Sequence, residues 1–128
     1  MLKAESLSFS IDNKPLLENI SLEFTPGILY SVLGPNGSGK STLLKTLTGI
    51  WQATSGKVTW NGEDLHKKSR KSISRIISLV PQNPQVHFDF TVADIVAMGR
   101  YPYGSPRNNK ANELLEWALT TVDTWHLK

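Results

Sequence analysis

A glycine-rich segment at residues 34–41, Gly-Pro-Asn-Gly-Ser-Gly-Lys-Ser, restricts the folds open to this chain more than any other feature. It follows an almost continuously apolar run, Ile28 to Leu33, which is typical of a strand covered on both faces in a parallel sheet. After it, leucines recur at helical spacing and Gly49 is placed to end the helix. The sequence therefore predicts a strand, a tight loop and a helix in direct succession.

The residue types in this loop are those of a phosphate cradle. Its three glycines allow backbone conformations in which successive N–H groups point inward at an anion. The helix that follows directs its positive end and its unpaired N–H groups at the same point. The spacing matches the P-loop, in which the lysine binds the terminal phosphates and the serine hydroxyl ligates Mg²⁺. The predicted nucleotide-binding residues are Gly34, Pro35, Asn36, Gly37, Ser38, Gly39, Lys40, Ser41 and Thr42, with Ser41 also a metal ligand.

Alternating apolar and polar residues predict antiparallel strands on both sides of the loop and its helix. Two such strands run through Leu7 to Ile11 and Ile20 to Phe24, and a third spans Val58 to Trp60. Ile76 to Val80 is apolar throughout and is predicted to be a second buried strand of a parallel sheet.

The last third of the chain is predicted to be helical. Thr91 and Asp94 have the spacing of a capping box, which opens a helix that stops near Gly99. The apolar face of a final helix, after Asn109, is expected at Leu114, Leu115, Ala118, Val122 and Trp125. We expect a β subdomain with the core of the domain over residues 1–82 and the start of a helical subdomain over 83–128.

Composition and charge exclude several classes of protein. With 39% hydrophobic and 20% charged residues, the chain is neither disordered nor fibrous, and its longest apolar run is far below the roughly 18 residues of a transmembrane helix. The first residues lack the pattern of a signal peptide, so we expect a cytoplasmic protein. The absence of cysteine excludes disulfides and thiolate zinc sites. A basic run from Lys67 to Arg75 contains no aromatic residue, which favours a solvated surface over a nucleic-acid site.

Along its whole length the chain resembles the nucleotide-binding subunits of ABC transporters. Ser41 to Gly62 is similar to the helix, Ser-Gly turn and strand of that family, and Leu79 to Gln82 resembles its Q-loop. Thr91 to Tyr103 resembles the branch that imports iron siderophores, haem or cobalamin. The resemblance implies an α/β fold of the P-loop NTPase class, with an antiparallel β subdomain, the start of a parallel core sheet and the start of a helical subdomain.

The same resemblance implies roles and partners. Gln82 would be a catalytic residue that contacts Mg²⁺ and the attacking water, with ATP and Mg²⁺ as the cofactors. A transmembrane permease subunit would dock near Asn83 to Tyr103, and a second ATP-binding subunit would complete a nucleotide sandwich. The protein would then lie on the inner face of the cell membrane, and we expect no nucleic-acid partner.

Two departures from the family pattern limit what can be carried over. Ile11 stands where the family stacks adenine on an aromatic side chain, while Phe9 is expected in the core. The 128 residues contain no Ser-Gly-Gly signature, Walker B aspartate, catalytic glutamate or switch histidine, so they resemble the amino-terminal half of such a domain. We expect this half to bind nucleotide, and ATP hydrolysis coupled to transport to need the other half.

Two other functions share parts of this pattern. An ABC-type ATPase of DNA repair or chromosome structure also has the P-loop and the Q-loop, and the run from Lys67 to Arg75 would then contact DNA. The segment Gly99 to Tyr103 and the short spacing from the P-loop to Gln82 favour the importer. A soluble kinase would need an acceptor site and a lid, and the sequence indicates neither.

Overall fold

The computed structural model describes residues 1–82, 89–104, 109–124 and 126. It divides into two compact units, Met1–Ser78 and Leu79–Lys128. In the described residues, the first unit holds a four-stranded sheet and two helices, and the second holds two helices. None of the described helices is long and apolar enough to cross a membrane.

The sheet of the first unit is antiparallel, as the alternating sequence predicts. Its strands are β1 (Leu2–Ile11), β2 (Lys14–Phe24), β3 (Ser55–Trp60) and β4 (Glu63–Asp64), in the spatial order β2-β1-β3-β4. The hairpin from β1 to β2 turns at Asp12 and Asn13, both in the left-handed region of φ that these residue types tolerate.

An irregularity in β1 allows more of its side chains to reach the core than strict alternation would. Ser6 has a φ of 48°, and the pairing of β1 with β3 shifts between Glu5 and Ser8. Because the extra residue reverses the alternation, Ala4 and Leu7 are both buried although they are three residues apart. Phe9 is buried as predicted, and Ile11 is 44% exposed.

Helix α1 (Lys40–Leu47) follows the glycine-rich loop directly and ends as the sequence predicts. Gly49 lies just beyond it with a φ of 72°, and its N–H donates to the carbonyl of Thr46 over 3.1 Å. One face of α1 packs against the sheet. The core cluster comprises Ala4, Leu7, Phe9, Leu17, Leu43, Leu47, Val58 and Leu65.

Two strand predictions are wrong in this structure. Ile28–Leu33 and Ile76–Val80 form no β pairing with any described residue. Leu29 is 94% exposed and Leu33 is 89% exposed, although both belong to a run with the composition of a buried strand. A strand of a parallel sheet exists only when neighbours accept its backbone hydrogen bonds, and the described part of the chain offers these segments no such neighbour.

The basic run of the first unit forms a 3-10 turn (Leu65–Lys67) and the one-turn helix α2 (Arg70–Ile73). Ser69 caps α2 by accepting a hydrogen bond from the backbone N–H of Ser72. Lys68 forms an ion pair with Glu63, and this contact lowers the pKa of the Glu63 carboxyl.

The second unit contains α3 (Val92–Met98), a 3-10 turn (Tyr101–Tyr103) and α4 (Asn109–Thr121). The predicted capping box at the start of α3 is confirmed. The predicted apolar face of α4 is partly wrong. Leu119, which the sequence analysis did not include, is only 1% exposed, whereas Val122 is 65% exposed because it follows the last turn of the helix. Trp125 lies outside the described residues.

Candidate functional site

The glycine-rich loop lies between the exposed segment Ile28–Leu33 and helix α1, and its position depends on one close backbone approach. Gly39 caps α1 with a φ of 90° and a ψ of 5°. A Cβ on Gly39 would lie 3.0 Å from the carbonyl oxygen of Leu16 and 3.3 Å from Cδ2 of Leu17. Both the left-handed backbone and the contact with β2 therefore favour glycine at this position.

Lys40 extends back across the loop and is bound to its backbone. Its ammonium donates hydrogen bonds to the carbonyl oxygens of Gly34 over 2.8 Å and Pro35 over 2.7 Å. The Ser38 hydroxyl is 3.5 Å from the same nitrogen. These contacts hold a positive charge at the centre of the loop. Sequence analysis identifies the lysine but not its carbonyl partners, because no side-chain pattern records a backbone acceptor.

The first turn of α1 offers backbone donors beside this charge. Among the described residues, no acceptor is found for the N–H groups of Gly39, Lys40, Ser41 and Thr42, and the first helical bond runs from the N–H of Leu43 to the carbonyl of Gly39. No acidic side chain occupies this turn, and no side chain caps it. Free N–H groups at the positive end of a helix are a binding site for an anion such as phosphate.

The packing of α1 fixes the direction of these donors. Leu43, Thr46 and Leu47 are buried against the sheet, and the hydroxyl of Thr46 donates to the carbonyl of Thr42 over 2.8 Å. Further along, Trp51 stacks on Phe9 with ring centroids 5.2 Å apart, and the Lys45 ammonium lies 4.4 Å from the Trp51 ring centroid. Both ends of the helix are thereby held against β1 and β2.

Ser41 is suited to bind a metal ion held mainly by phosphate and water. Its side chain is exposed in the first turn of α1, and its hydroxyl has no hydrogen-bond partner among the described residues. Mg²⁺ usually keeps several waters and takes one or two protein oxygens together with substrate phosphates. In the part of the chain that the structure describes, no group of three His, Asp or Glu side chains could hold a metal alone. The loop thus fits Mg²⁺ as a companion of a nucleotide.

Among the described residues of β1, no aromatic side chain is exposed for stacking on a base. Phe9 is confirmed in the core, where Trp51 covers its ring. Ile11, the position at which the family resemblance would place an aromatic, is half exposed at the end of β1. Its branched side chain offers a nucleobase apolar contact without π stacking.

The other predicted site residues belong to the second unit. Gln82 is described and exposed, and its contact with Mg²⁺ and water stays a prediction. Of the predicted docking segment, residues 83–88 lie outside the described part. Tyr101 and Tyr103 are 67% and 52% exposed, and the Arg100 guanidinium lies 4.7 Å from the centroid of the Tyr103 ring. Tyr101 and Tyr103 therefore present exposed aromatic surface, and the Arg100 guanidinium packs against the Tyr103 ring.

Comparison with known proteins shows the family to which the chain belongs. Residues 17–128 match the family of ABC transporters. The hemin import ATP-binding protein HmuV of Pseudomonas putida is 38% identical over 127 residues, which cover 99% of this chain and 49% of that protein. The iron(3+)-hydroxamate import ATP-binding protein FhuC of Bacillus subtilis is 33% identical over 121 residues, 92% of this chain and 45% of that protein. The chain spans about half the length of the curated relatives it matches.

Solved structures support the same fold. An ATP-binding subunit of an ABC transporter superposes with a TM-score of 0.82 at 22% identity, covering 99% of this chain and 52% of that one. An ATP-binding cassette of another ABC transporter gives a TM-score of 0.80 at 26% identity, with 99% and 55% covered.

The fold and the glycine-rich loop at the start of α1 together define a partial α/β domain of the P-loop class. Since the family match covers 112 of the 128 residues, from 17 to 128, the chain belongs to the ABC transporter family.

Proposed function

We propose that this chain is the nucleotide-binding part of the ATP-binding subunit of an ABC importer. The observation that carries the proposal is the arrangement at the start of α1, where the Lys40 ammonium and the unpaired N–H groups from Gly39 to Thr42 surround one exposed loop. This is a preorganised site for the phosphates of ATP, with Ser41 as the protein ligand of Mg²⁺.

The transported compound is proposed from relatives and from the resemblance of Thr91 to Tyr103. The two relatives named above are import ATP-binding proteins for hemin and for iron(3+)-hydroxamate. We therefore assign the complete protein to import of an iron siderophore, haem or cobalamin. ATP hydrolysis would belong to the complete protein, with Gln82 in contact with Mg²⁺ and the attacking water, and the 128 residues would bind nucleotide without hydrolysing it.

Nucleotide binding is tested by equilibrium titration with ATP, ADP and AMP, each with and without Mg²⁺. Because the site binds the nucleotide through its phosphate groups, the affinity should be highest for ATP, lower for ADP and lowest for AMP. Ser41→Ala should remove the gain that Mg²⁺ gives and leave the Mg²⁺-free affinity unchanged, and Ser31→Ala, an exposed serine ahead of the loop, is the matched control. Equal affinity for ATP and AMP would contradict the phosphate site.

The partners of the complete protein are a transmembrane permease, a second ATP-binding subunit and the inner face of the membrane. The exposed rings of Tyr101 and Tyr103 support a docking surface within Asn83 to Tyr103. Single cysteines at these two positions, placed in the longer protein together with its permease, should crosslink to the permease. Crosslinks that form only from a cysteine at Lys67 would place the docking surface on the first unit instead.

A further inference from the structure

A small groove lined by cationic side chains lies at the opposite end of α1 from the glycine-rich loop. It is formed where the turn after α1 meets the 3-10 turn and α2, and its volume is about 150 Å³. That is about half the lower limit of sites for drug-sized ligands, so it fits a small ion and not a nucleoside. Its walls include Gly49, Gln52, Leu65, His66, Lys68 and Arg70.

The charges around this groove are unbalanced. None of the described residues that line it is acidic, and its cations are Arg70 and the ion-paired Lys68. Lys68 shares its charge with Glu63, which is mostly exposed, and its ammonium has three donors. Arg70 has no ion-pair partner among the described residues, so its planar set of donors remains open to an oxyanion.

The groove has fixed walls and an unsatisfied polar group beside it. Gly49 approaches α2 so closely that a Cβ there would lie 3.2 Å from Cδ1 of Ile73. Leu65 is fully buried beneath it. The Nε2 atom of His66 is buried and has no hydrogen-bond partner among the described residues, a state that is unfavourable for a polar atom. Because His66 lines the groove, this atom, when it carries the imidazole hydrogen, is a donor without a described protein acceptor next to an anion bound there.

We propose that this groove binds a phosphate-class anion, held by Arg70 and Lys68 with His66 as a further donor. The ligand is either inorganic phosphate or the phosphate group of an anionic lipid, since both present the same oxygens to the same donors. This site is separate from the P-loop and does not depend on the nucleotide-binding proposal, because it uses none of the same residues.

The test uses the 128-residue chain with Lys40→Ala, which weakens binding of phosphate at the P-loop and reduces its contribution. Inorganic phosphate is titrated at constant ionic strength while the imidazole NMR signals of the three histidines are followed. The signals of His66, which lines the groove, should shift and reach saturation. Arg70→Gln should weaken this binding about ten-fold or more, the effect of one charge-assisted hydrogen bond. Lys71→Gln, the next residue on α2 with the same loss of charge, should change it less than about two-fold.

A second arm distinguishes the two sources of phosphate. The chain is sedimented with vesicles of phosphatidylcholine alone or with added phosphatidic acid. If Arg70→Gln abolishes binding to the acidic vesicles and Lys71→Gln preserves it, the site is supported with lipid as the source of phosphate. If the two variants differ only in their binding of free phosphate, the site is supported with the inorganic ion as the ligand.

Three results would overturn the proposal. One is the absence of any shift at His66 together with no vesicle binding. Another is equal sensitivity to Arg70→Gln and Lys71→Gln, which would indicate a diffuse basic surface. The third is tight binding of duplex DNA that depends on both residues, which would indicate a nucleic-acid surface. The nucleotide-binding proposal is contradicted by a different result, namely that Lys40→Ala leaves the affinity for ATP unchanged.

Discussion

The Lys40 ammonium donates a hydrogen bond to the carbonyl oxygen of Pro35 over 2.7 Å, five residues earlier in the chain. Together with the bond to Gly34, this contact folds the lysine over the loop and keeps its charge where the phosphates would bind. The lysine therefore orders the loop and attracts the ligand. A bound phosphate would share or replace these carbonyl contacts, so the gain from Lys40 is the difference between the two sets of bonds.

Lys40→Ala should weaken ATP binding about ten-fold to over a hundred-fold, since a charge-assisted hydrogen bond contributes roughly 1.5 to 3 kcal/mol. The measurement is a titration with a fluorescent ATP analogue. Lys45→Ala removes the same charge from the same helix but lies beside Trp51, so it should leave the affinity nearly unchanged. Equal losses in the two variants would mean that net charge, and not the loop, governs binding.

Gly39→Ala should destabilise the first unit more than Gly37→Ala. Both glycines have a φ in the left-handed region, 90° and 82°, which costs other residues roughly 1 to 2 kcal/mol. A Cβ at Gly37 would meet open space, whereas one at Gly39 would press on the backbone of Leu16 and the side chain of Leu17. Urea denaturation of the two variants gives the difference directly. Equal midpoints would show that contact with β2 does not fix the loop.

How much of this structure the sequence could predict depends on whether the signal is local. The glycine-rich loop, the start of α1 and the Thr91–Asp94 capping box all depend on residues within a few positions of one another, and each lies where the sequence predicts it. The predicted strands at Ile28–Leu33 and Ile76–Val80 depend on pairing partners elsewhere, which an apolar run cannot supply.

Two further features could not be predicted because they depend on backbone geometry. Alternation places Leu7 and Phe9 in the core, but only the left-handed Ser6 explains why Ala4 is buried with them. In the candidate site, residue types predict Lys40 as a phosphate ligand, while its carbonyl partners at Gly34 and Pro35 are main-chain groups without a side-chain signature.

The stability of α3 should fall in acid through Asp94. The Thr91 hydroxyl donates to the Asp94 carboxylate over 2.7 Å and the Thr91 N–H over 3.0 Å, and these bonds lower the pKa of Asp94 from its ordinary value of 3.8. Because the pKa of Asp94 is lower in the folded state than in the unfolded state, its carboxylate stabilises the folded state at pH values above the unfolded pKa. This stabilisation is lost as the pH falls through the folded pKa.

Amide hydrogen exchange in α3, compared between about pH 6 and about pH 3, measures this dependence. Asp94→Asn should remove most of it, and Thr91→Ala should reduce it, because the backbone donor of residue 91 remains. The protection factors are corrected for the intrinsic pH dependence of exchange. If they fall equally in Asp94→Asn and in the unmodified chain, the acid sensitivity belongs to other carboxylates.

The 128-residue chain should self-associate through the segment Ile28–Leu33. Leu29 and Leu33 are almost fully exposed in a run of β-forming residues whose backbone groups have no strand partner among the described residues, and such a segment can pair with a copy of itself. Sedimentation velocity should show association that grows with concentration, and the double variant Leu29→Lys, Leu33→Lys should be monomeric. Val122→Lys removes an exposed apolar side chain from the second unit and should not prevent association.

Nucleotide should oppose association only by mass action, stabilising the folded chain by about 2.7 kcal/mol at a hundred times its dissociation constant. A monomer at every concentration, with a sharp two-state melt in the absence of ligand, would show that this segment is covered in solution.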